Sequence, residues 1–399
     1  MTFYFETPLL DEIILFALVS ILVWIYQYTT STFDHWKKRG IAFIKPFPFL
    51  GNLKDVVFLK SSRHDAIKDF YRKLEGEPFG GIFLFRSPVL IVRDPDIIKS
   101  ILVKDFSHFQ NRVHSSPSAD PVSYSLAVIN GPKWYILRTK LTPTFTSGKL
   151  KNMMDALTEC SLETNSALQN SADNNSIIEV KDLAGNFTTQ VIGSVIFGLQ
   201  INSIKDPESE FRKFGHQITS PSKKRAIALA MSRIFPKIAK LLGLSYIPKD
   251  AISFFSKVVR ETVQYREKNG VTRNDFLQLL IQLKNNVKLV DDRSKEDEHL
   301  RHQIDLGDAT LEQFEMTDDM MTGNCFVFFM AGFDTSATTM SFALYELAVN
   351  PDIQERLSAE IDDVLEKHKG KITYDAIHEM SYLDKVVNGM FIIHIGPTF

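Results

Sequence analysis

Small and hydroxyl-bearing residues replace large apolar ones in the middle of one long predicted helix. The apolar run at residues 326–330 is followed by Ala331, Gly332, Asp334 and Thr335. Glycine costs a helix about 1 kcal/mol relative to alanine, so its presence indicates a need for space. An acid beside a hydroxyl can relay protons into an apolar pocket without admitting bulk water. The pattern therefore favours proton-transfer chemistry, and a small-residue stripe for close helix packing is the alternative.

A pair of hydrogen-bond donors is predicted on a second helix. Pro132 occupies a first helical position, and Trp134 and Arg138 follow at the i, i+4 spacing that places them on one face. The indole N–H and the guanidinium can only donate hydrogen bonds, which suits a carboxylate at the edge of an apolar pocket. The alternative is ordinary packing with a solvated head group.

The two cysteines, Cys160 and Cys325, are far apart in the sequence and belong to no metal-binding motif. We interpret both as small buried apolar residues. So few cysteines indicate a reducing, cytosol-facing location. No metal ligand is predicted from the residues of the chain.

Most of the elements that position these residues are predicted to be helices. Helical periodicity is found in residues 64–75 and in nearly every segment after Trp134, and Asp94-Pro95 opens a further helix. Residues 81–85 and 89–92 read as two strands joined by a tight turn. The sequence therefore predicts a mainly α fold with a small β portion, an α+β arrangement.

The long helix that carries the polar centre is predicted to begin after Thr317. Threonine is a favoured N-cap residue, and Asp318 and Asp319 complement the helix dipole in the first turn. No break occurs before Asn350, so the helix would reach about 50 Å. It is long enough to cross a whole domain.

An uncharged apolar stretch at residues 13–26 approaches the roughly 17–25 residues that a spanning helix needs. Acidic residues precede it and no small-residue cleavage site follows, which favours a retained anchor over a cleaved signal peptide. The basic cluster at residues 37–39 predicts that the body lies on the cytoplasmic side. We predict four segments: an anchor (1–30), a basic and proline-rich hinge (31–52), a catalytic body (53–388) and a tail (389–399).

The overall charge does not identify a partner. The chain has 46 basic and 48 acidic residues, so no global field favours nucleic acid. The charged segment 284–314 is predicted to be a solvated loop. The apolar segment 226–244 carries basic residues and a proline, and it is predicted to lie on a membrane surface or to form a plain core helix.

Residues 331–336, A-G-F-D-T-S, match the A-G-x-D/E-T-S/T signature of the cytochrome P-450 family. The Trp134–Arg138 pair and the following residues 141–150 are similar to the family's W-x-x-x-R helix, and residues 45–52, 187–198 and 206–211 resemble its insect microsomal branch. The resemblance implies a haem cofactor and the cytochrome P-450 fold. It also implies that Asp334 and Thr335 deliver protons to oxygen and that Ala331 and Gly332 form an oxygen-binding groove.

The same resemblance implies that Trp134 and Arg138 hold a haem propionate and that Arg112, after Asn111, is a second propionate contact. It implies a monooxygenase that oxidises small apolar compounds at the endoplasmic reticulum. Electrons would come from an NADPH-dependent flavoprotein reductase on the cytosolic face. Substrate, reductase and membrane are the implied partners, and nucleic acid is not one.

The sequence departs from the family pattern near residue 389. The family's E-x-x-R would begin there, but Gly389 and Ile392 occupy its two positions, and the literal match at Glu298 and Arg301 precedes the oxygen-activating helix. The cysteine loop F-x-x-G-x-x-x-C is not found, so we expect the chain to lack the axial ligand and the C-terminal haem-binding region, and to be inactive. A non-catalytic membrane-tethered fragment is the alternative.

Helical periodicity is predicted to stop at Asn388, which leaves no helix to aim His394 as a substitute ligand. Codons for Gly389, Met390 and Phe391 can be written so that they resemble an intron donor site. Residues 389–399 are therefore interpreted as a non-family tail from mis-splicing.

Overall fold

The computed structural model describes residues 8–112, 120–220, 222–245, 247–285 and 315–394. Most of the predicted charged loop, with Glu298 and Arg301, and the end of the predicted tail lie outside the described residues. Within the described ranges, most residues are helical and the strands form a two-stranded sheet. The predicted fold class is confirmed.

The strands of this sheet are β1 (Phe79–Leu84) and β2 (Ser87–Val92). The helices of the N-terminal half, in chain order, are α1 (Pro8–Thr30), α2 (Lys54–Val57), α3 (Arg63–Lys73), α4 (Pro95–Lys99), α5 (Pro132–Leu141), α6 (Ser147–Lys151), α7 (Met154–Asp173) and α8 (Val180–Ile192). They are followed by α9 (Glu210–Thr219), α10 (Lys223–Ile234), α11 (Pro236–Leu241), α12 (Lys249–Asn269), α13 (Phe276–Lys284), α14 (Asp318–Val349), α15 (Pro351–Lys367), α16 (Tyr374–Glu379) and α17 (Ser381–His394).

The described residues form two compact units. Residues 8–106 and 222–245 make the first unit, which contains the sheet and helices α1 to α4, α10 and α11. Residues 107–220 and 247–394 make the second unit, which contains the remaining helices. The polar centre of α14 and the Trp134–Arg138 pair both belong to the second unit.

In the first unit, the segment that follows α1 packs along β1. The Trp36 indole donates to the Ile82 carbonyl at 3.0 Å, and Asn52 Oδ1 accepts from the Phe83 N–H at 2.7 Å. A Cβ at Gly81 would lie 2.4 Å from the Trp36 ring, so only glycine permits this contact. The segment predicted as a hinge is therefore docked against the sheet.

Helix α1 has 23 residues, longer than the predicted stretch, and extends about 35 Å. Its apolar side chains are exposed, and the part from Asp11 to Thr30 is long and apolar enough to cross a membrane. Its last turns pack within the first unit, because the Tyr28 ring stacks on Phe235 with 5.4 Å between centroids. The Arg86 guanidinium lies 3.9 Å from the centroid of the Tyr28 ring. The C-terminal end of α1 is thus fixed to the rest of the first unit.

The segment 226–244 is amphipathic rather than a plain core helix. Ala228 and Ala239 are buried. Ile227 is 61% exposed and Leu241 is 85% exposed. One face of α10 and α11 therefore packs inward and the other presents aliphatic side chains.

In the second unit, the apolar first half of α14 is enclosed by an aromatic core. The Phe329 ring lies 4.8 Å from Phe255 of α12 and stacks on Phe333 at 5.6 Å. Leu137 and Leu141 of α5 are part of the same core. Helices α5 and α14 therefore pack in the same apolar core.

The prediction that helical structure stops at Asn388 is wrong, because α17 continues to His394. The Glu360 carboxylate accepts hydrogen bonds from the Tyr382 and Leu383 N–H groups and so caps the first turn of α17. Met390 is 3% exposed, and its burial offsets the roughly 1 kcal/mol that Gly389 costs a helix.

The prediction that no helix aims His394 is also wrong. His394 Nε2 lies 2.7 Å from Glu346 Oε1 of α14, and its ring lies 4.4 Å from Phe342 between centroids. The last described turn of α17 is therefore attached to α14.

Candidate active site

Two small residues leave one side of α14 open. Ala331 and Thr335 are four residues apart and both are exposed, and we call them the open flank. The Thr335 hydroxyl donates to the Ala331 carbonyl one turn earlier, as hydroxyl residues inside helices commonly do. On the same stripe, further along the helix, Phe342 and Tyr345 are 42% and 59% exposed. The open flank therefore presents small side chains and one hydroxyl group.

Gly332 lies on a different side of α14 and faces α8. A Cβ at this position would lie 2.3 Å from Ile192 Cδ1. Close helix packing, the alternative derived from the sequence, therefore explains the glycine. Its assignment to the oxygen groove beside Ala331 stays a prediction.

Replacing Gly332 with alanine is expected to destabilise the protein by about 1–3 kcal/mol through overpacking. In an Ile192→Ala background the neighbouring side chain is removed, so the better helix propensity of alanine, about 1 kcal/mol, should make the same change stabilising. Thermal unfolding of the four forms measures both effects. An equal effect of Gly332→Ala in the two backgrounds would contradict the close contact.

Asp334 is half-buried and lies near α9. The preceding residue, Phe333, packs on this helix, where a Cβ at Gly215 would be 2.8 Å from Phe333 Cε1. Burial lowers the pKa of Arg212 and of His216 on α9, and the negative charge of Asp334 opposes both shifts. Asp334 is therefore within electrostatic range of both side chains.

The Trp134–Arg138 pair is formed as predicted. Gly131 precedes α5, Pro132 is its first residue, and the Arg138 guanidinium carbon lies 5.6 Å from the centroid of the Trp134 ring. Ile136 is buried on the opposite face, and Tyr135 and Leu137 are buried on either side of it. The core thus holds α5 so that the exposed Arg138 can receive an anion.

Arg112 belongs to a segment that is tied to the start of α5. Asn111 Oδ1 accepts from the Gly131 N–H at 2.9 Å, and Arg112 itself is exposed. The structure thus brings this segment to the N-terminal end of the helix that carries Arg138. The role of Arg112 in binding a propionate stays a prediction.

Sequence reasoning missed a buried residue that joins α14 to the segment before α5. Asn324 is 0% exposed. Its Oδ1 accepts from the Leu126 N–H at 2.9 Å and its Nδ2 donates to the Met320 carbonyl at 2.7 Å. A Cβ at the neighbouring Gly323 would be 2.2 Å from the Pro121 carbonyl oxygen. A polar amide inside an apolar helical run was the signal that could have revealed it.

Both cysteines are buried, as predicted. Cys160 is 2% exposed and Cys325 is 0% exposed. Burial raises the pKa of each thiol above its usual range. Because the thiolate is the form that binds metal, neither is suited to bind iron.

The sequence model of the cytochrome P-450 family matches residues 42–391. Cytochrome P-450 6k1 of Blattella germanica is 38% identical over 375 residues, which are 94% of this chain and 70% of the relative. Cytochrome P-450 6A1 of Musca domestica is 37% identical over 380 residues, again 94% and 70%. A probable cytochrome P-450 6a18 of Drosophila melanogaster is 37% identical over 381 residues, 93% and 70%. The family match passes Asn388, where the resemblance was predicted to end.

Proposed function

The chain belongs to the cytochrome P-450 family, with haem as its cofactor, and from that premise we propose a monooxygenase that oxidises small apolar compounds at the endoplasmic reticulum. Electrons come from an NADPH-dependent reductase. The proposal depends mainly on one observation: the open flank, Ala331 and Thr335, lies beside the half-buried Asp334. Small side chains, a hydroxyl and an acid thus lie within about one turn of helix.

The described residues fit a haem along the open flank. Small side chains let a flat group approach the α14 backbone, and the exposed Arg138 offers a guanidinium to a propionate. Trp134 and Arg112 are the other proposed propionate contacts. Bound haem supplies the oxygen-activating centre.

Thr335 and Asp334 are proposed to hold and move protons. The Thr335 hydroxyl donates to the Ala331 carbonyl and keeps its lone pairs free to accept a further hydrogen bond. The Asp334 carboxylate can store a proton beside it. The buried aromatic residues around Phe329 and Phe333 exclude bulk water from the neighbouring core.

Replacing Arg138 with glutamine is expected to weaken haem binding by about tenfold to a hundredfold, because a charge-assisted hydrogen bond contributes about 1.5–3 kcal/mol. A haem titration of the 399-residue chain in detergent, followed by tryptophan fluorescence, measures the affinity. Lys133→Gln is the matched control, since Lys133 is an exposed cation on the same helix. Equal affinities for the two variants would contradict the role of Arg138, and no haem association of the unmodified chain would overturn the proposed function for it.

Helix α1 is proposed to anchor the protein in the membrane of the endoplasmic reticulum. Its side chains from Ile13 to Tyr26 are mostly exposed and apolar, and its length exceeds the roughly 30 Å of a hydrocarbon core. Exposed Leu241 and Leu242 at the end of α11 suit the lipid surface next to it. The stack of Tyr28 on Phe235 supports this placement because it joins α1 to that region.

The double substitution Val19→Arg and Leu22→Arg is expected to release the protein from microsomes. Each arginine near the centre of a spanning helix costs about 2.5–3.5 kcal/mol. Alkaline carbonate extraction should move the variant from the pellet to the supernatant. Leu162→Arg, at an exposed position of α7, is the control and should stay in the pellet. Retention of the double variant would argue against α1 as the anchor.

A further inference from the structure

Arg212 of α9 is a buried cation close to the polar centre of α14. Its side chain is 7% exposed. The guanidinium lies against α8, where a Cβ at Gly185 would be 2.0 Å from Nη1. Nη2 donates to Asp182 Oδ1 at 3.0 Å. Helix α8 thus provides both the space and an acceptor for this guanidinium.

The Asp182 carboxylate does not balance this buried charge by itself. Its side chain is 65% exposed, so solvent screens its attraction for Arg212. Burial lowers the pKa of Arg212, while Asp182 and, more weakly, Asp334 counteract that shift. Among the described residues the direct ion partner of Arg212 is Asp182, so Asp334 acts through space as a second, more deeply placed anion.

The geometry places Arg212 beside the Asp334 turn. Its guanidinium carbon lies 5.7 Å from the centroid of the Phe333 ring, which directly precedes Asp334. His216, one turn further along α9, meets the same ring edge-on at 6.0 Å. The Phe333 ring therefore contacts both Arg212 and His216 of α9, and Asp334 follows it in the helix.

We propose that Arg212 is a positioning residue for Asp334. The charge that α8 fixes through Asp182 and Gly185 holds the Asp334 carboxylate on the α9 side of α14. This inference deepens the proposed function and rests on it for the catalytic meaning of Asp334. The electrostatic interaction between Arg212 and Asp334 does not depend on catalytic turnover, so it can be tested separately.

His216 is a suitable reporter because it is exposed and senses both groups. The charged groups that act on it are Asp182 and Lys181 of α8, Arg212 of its own helix and Asp334 of α14. Burial and then Arg212 lower its pKa, whereas Asp182 and Asp334 raise it. A change in the position of the Asp334 carboxylate therefore changes the titration of His216.

The test is an NMR titration of the histidine ring signals in the full chain in detergent, with His216 assigned by loss of its signal in His216→Gln. Asp334→Asn should lower the pKa of His216, and Arg212→Gln should raise it. In the Arg212→Gln background, Asp334→Asn should have a smaller effect, because the carboxylate is no longer held near α9. Arg212→Lys should restore the full effect.

Two controls keep the result specific. Asp319→Asn, at the exposed start of α14, should leave the titration of His216 unchanged. If Arg212→Gln does not fold, Asp334→Asn in the unmodified protein still tests the proposal, because the His216 pKa must then fall. An unchanged His216 pKa in Asp334→Asn, or an equal effect of Asp334→Asn in the unmodified and Arg212→Gln proteins, overturns the proposal. Either result leaves haem binding by Arg138 untouched, so the two proposals fail separately.

Discussion

Replacing Asp275 with alanine is expected to lower the free energy of unfolding by about 3–5 kcal/mol, because the change leaves a buried guanidinium without its partner. Arg266 of α12 and Asp275, the N-cap of α13, are 3% and 2% exposed. Two hydrogen bonds of 2.8 Å and 2.7 Å join them, and Arg266 also donates to the Phe197 carbonyl at 3.0 Å. Gly198 follows, and a Cβ there would be 2.1 Å from Asp275 Oδ2.

The matched control is Asp375→Ala. Asp375 accepts from Lys151 at the same short distance, 2.7 Å, but its side chain is 69% exposed. Solvent screens the attraction within such an exposed pair, so this variant should unfold almost like the unmodified protein. Thermal or denaturant unfolding of the three proteins in detergent gives the comparison. Similar losses of unfolding free energy for Asp275→Ala and Asp375→Ala would show that burial does not determine the strength of these ion pairs.

A second test separates the buried charge from the packing around it. The double variant Arg266→Met and Asp275→Leu removes both charges and keeps apolar volume, and such replacements are often neutral or stabilising. We expect it to recover most of the stability lost in Asp275→Ala. A loss as large as in the single variant would assign the effect to shape rather than to the uncompensated charge.

The 399-residue polypeptide, reduced and exposed to carbon monoxide, is expected to give no thiolate-type Soret band. A thiolate must be deprotonated and reach the iron. Cys325 is 0% exposed, Cys160 is 2% exposed, and burial raises the pKa of both thiols. The difference spectrum is recorded on protein whose helical content has first been checked by circular dichroism. This outcome would show that neither cysteine of the polypeptide supplies a thiolate ligand to the iron.

The cysteine variants make this prediction specific. Cys160→Ser and Cys325→Ala should leave the spectrum of the polypeptide unchanged. A thiolate-type band that disappears in one of them would identify that cysteine as an iron ligand. It would also show that the interior opens enough to ionise a buried thiol, against the packing described above.

The local elements of the site could be predicted because they depend on neighbours in the sequence. The Thr317 hydroxyl accepts from the Met320 N–H at 3.2 Å and caps α14, and Pro132 begins α5, as expected. The i, i+4 rule correctly placed Trp134 beside Arg138. Each of these features is set within about one turn of helix.

The remaining features depend on which distant segment packs against each face. Helical periodicity places Ala331 and Gly332 on different sides of α14. Only the position of Ile192 shows that Gly332 is a packing contact. The end of α17 was predicted wrongly because the burial of Met390 outweighs the preference of Gly389.

By itself the sequence determined the family, the mainly helical fold, the capped central helix and the donor pair, since signatures, periodicity and caps are local patterns. Only the tertiary structure decided that Arg212 is buried near Asp334, that Asn324 joins α14 to the segment before α5 and that His394 contacts Glu346. The burial of a side chain and the electrostatic field that acts on it both depend on residues from distant parts of the chain. A local sequence pattern does not show which distant residues become neighbours when the chain folds.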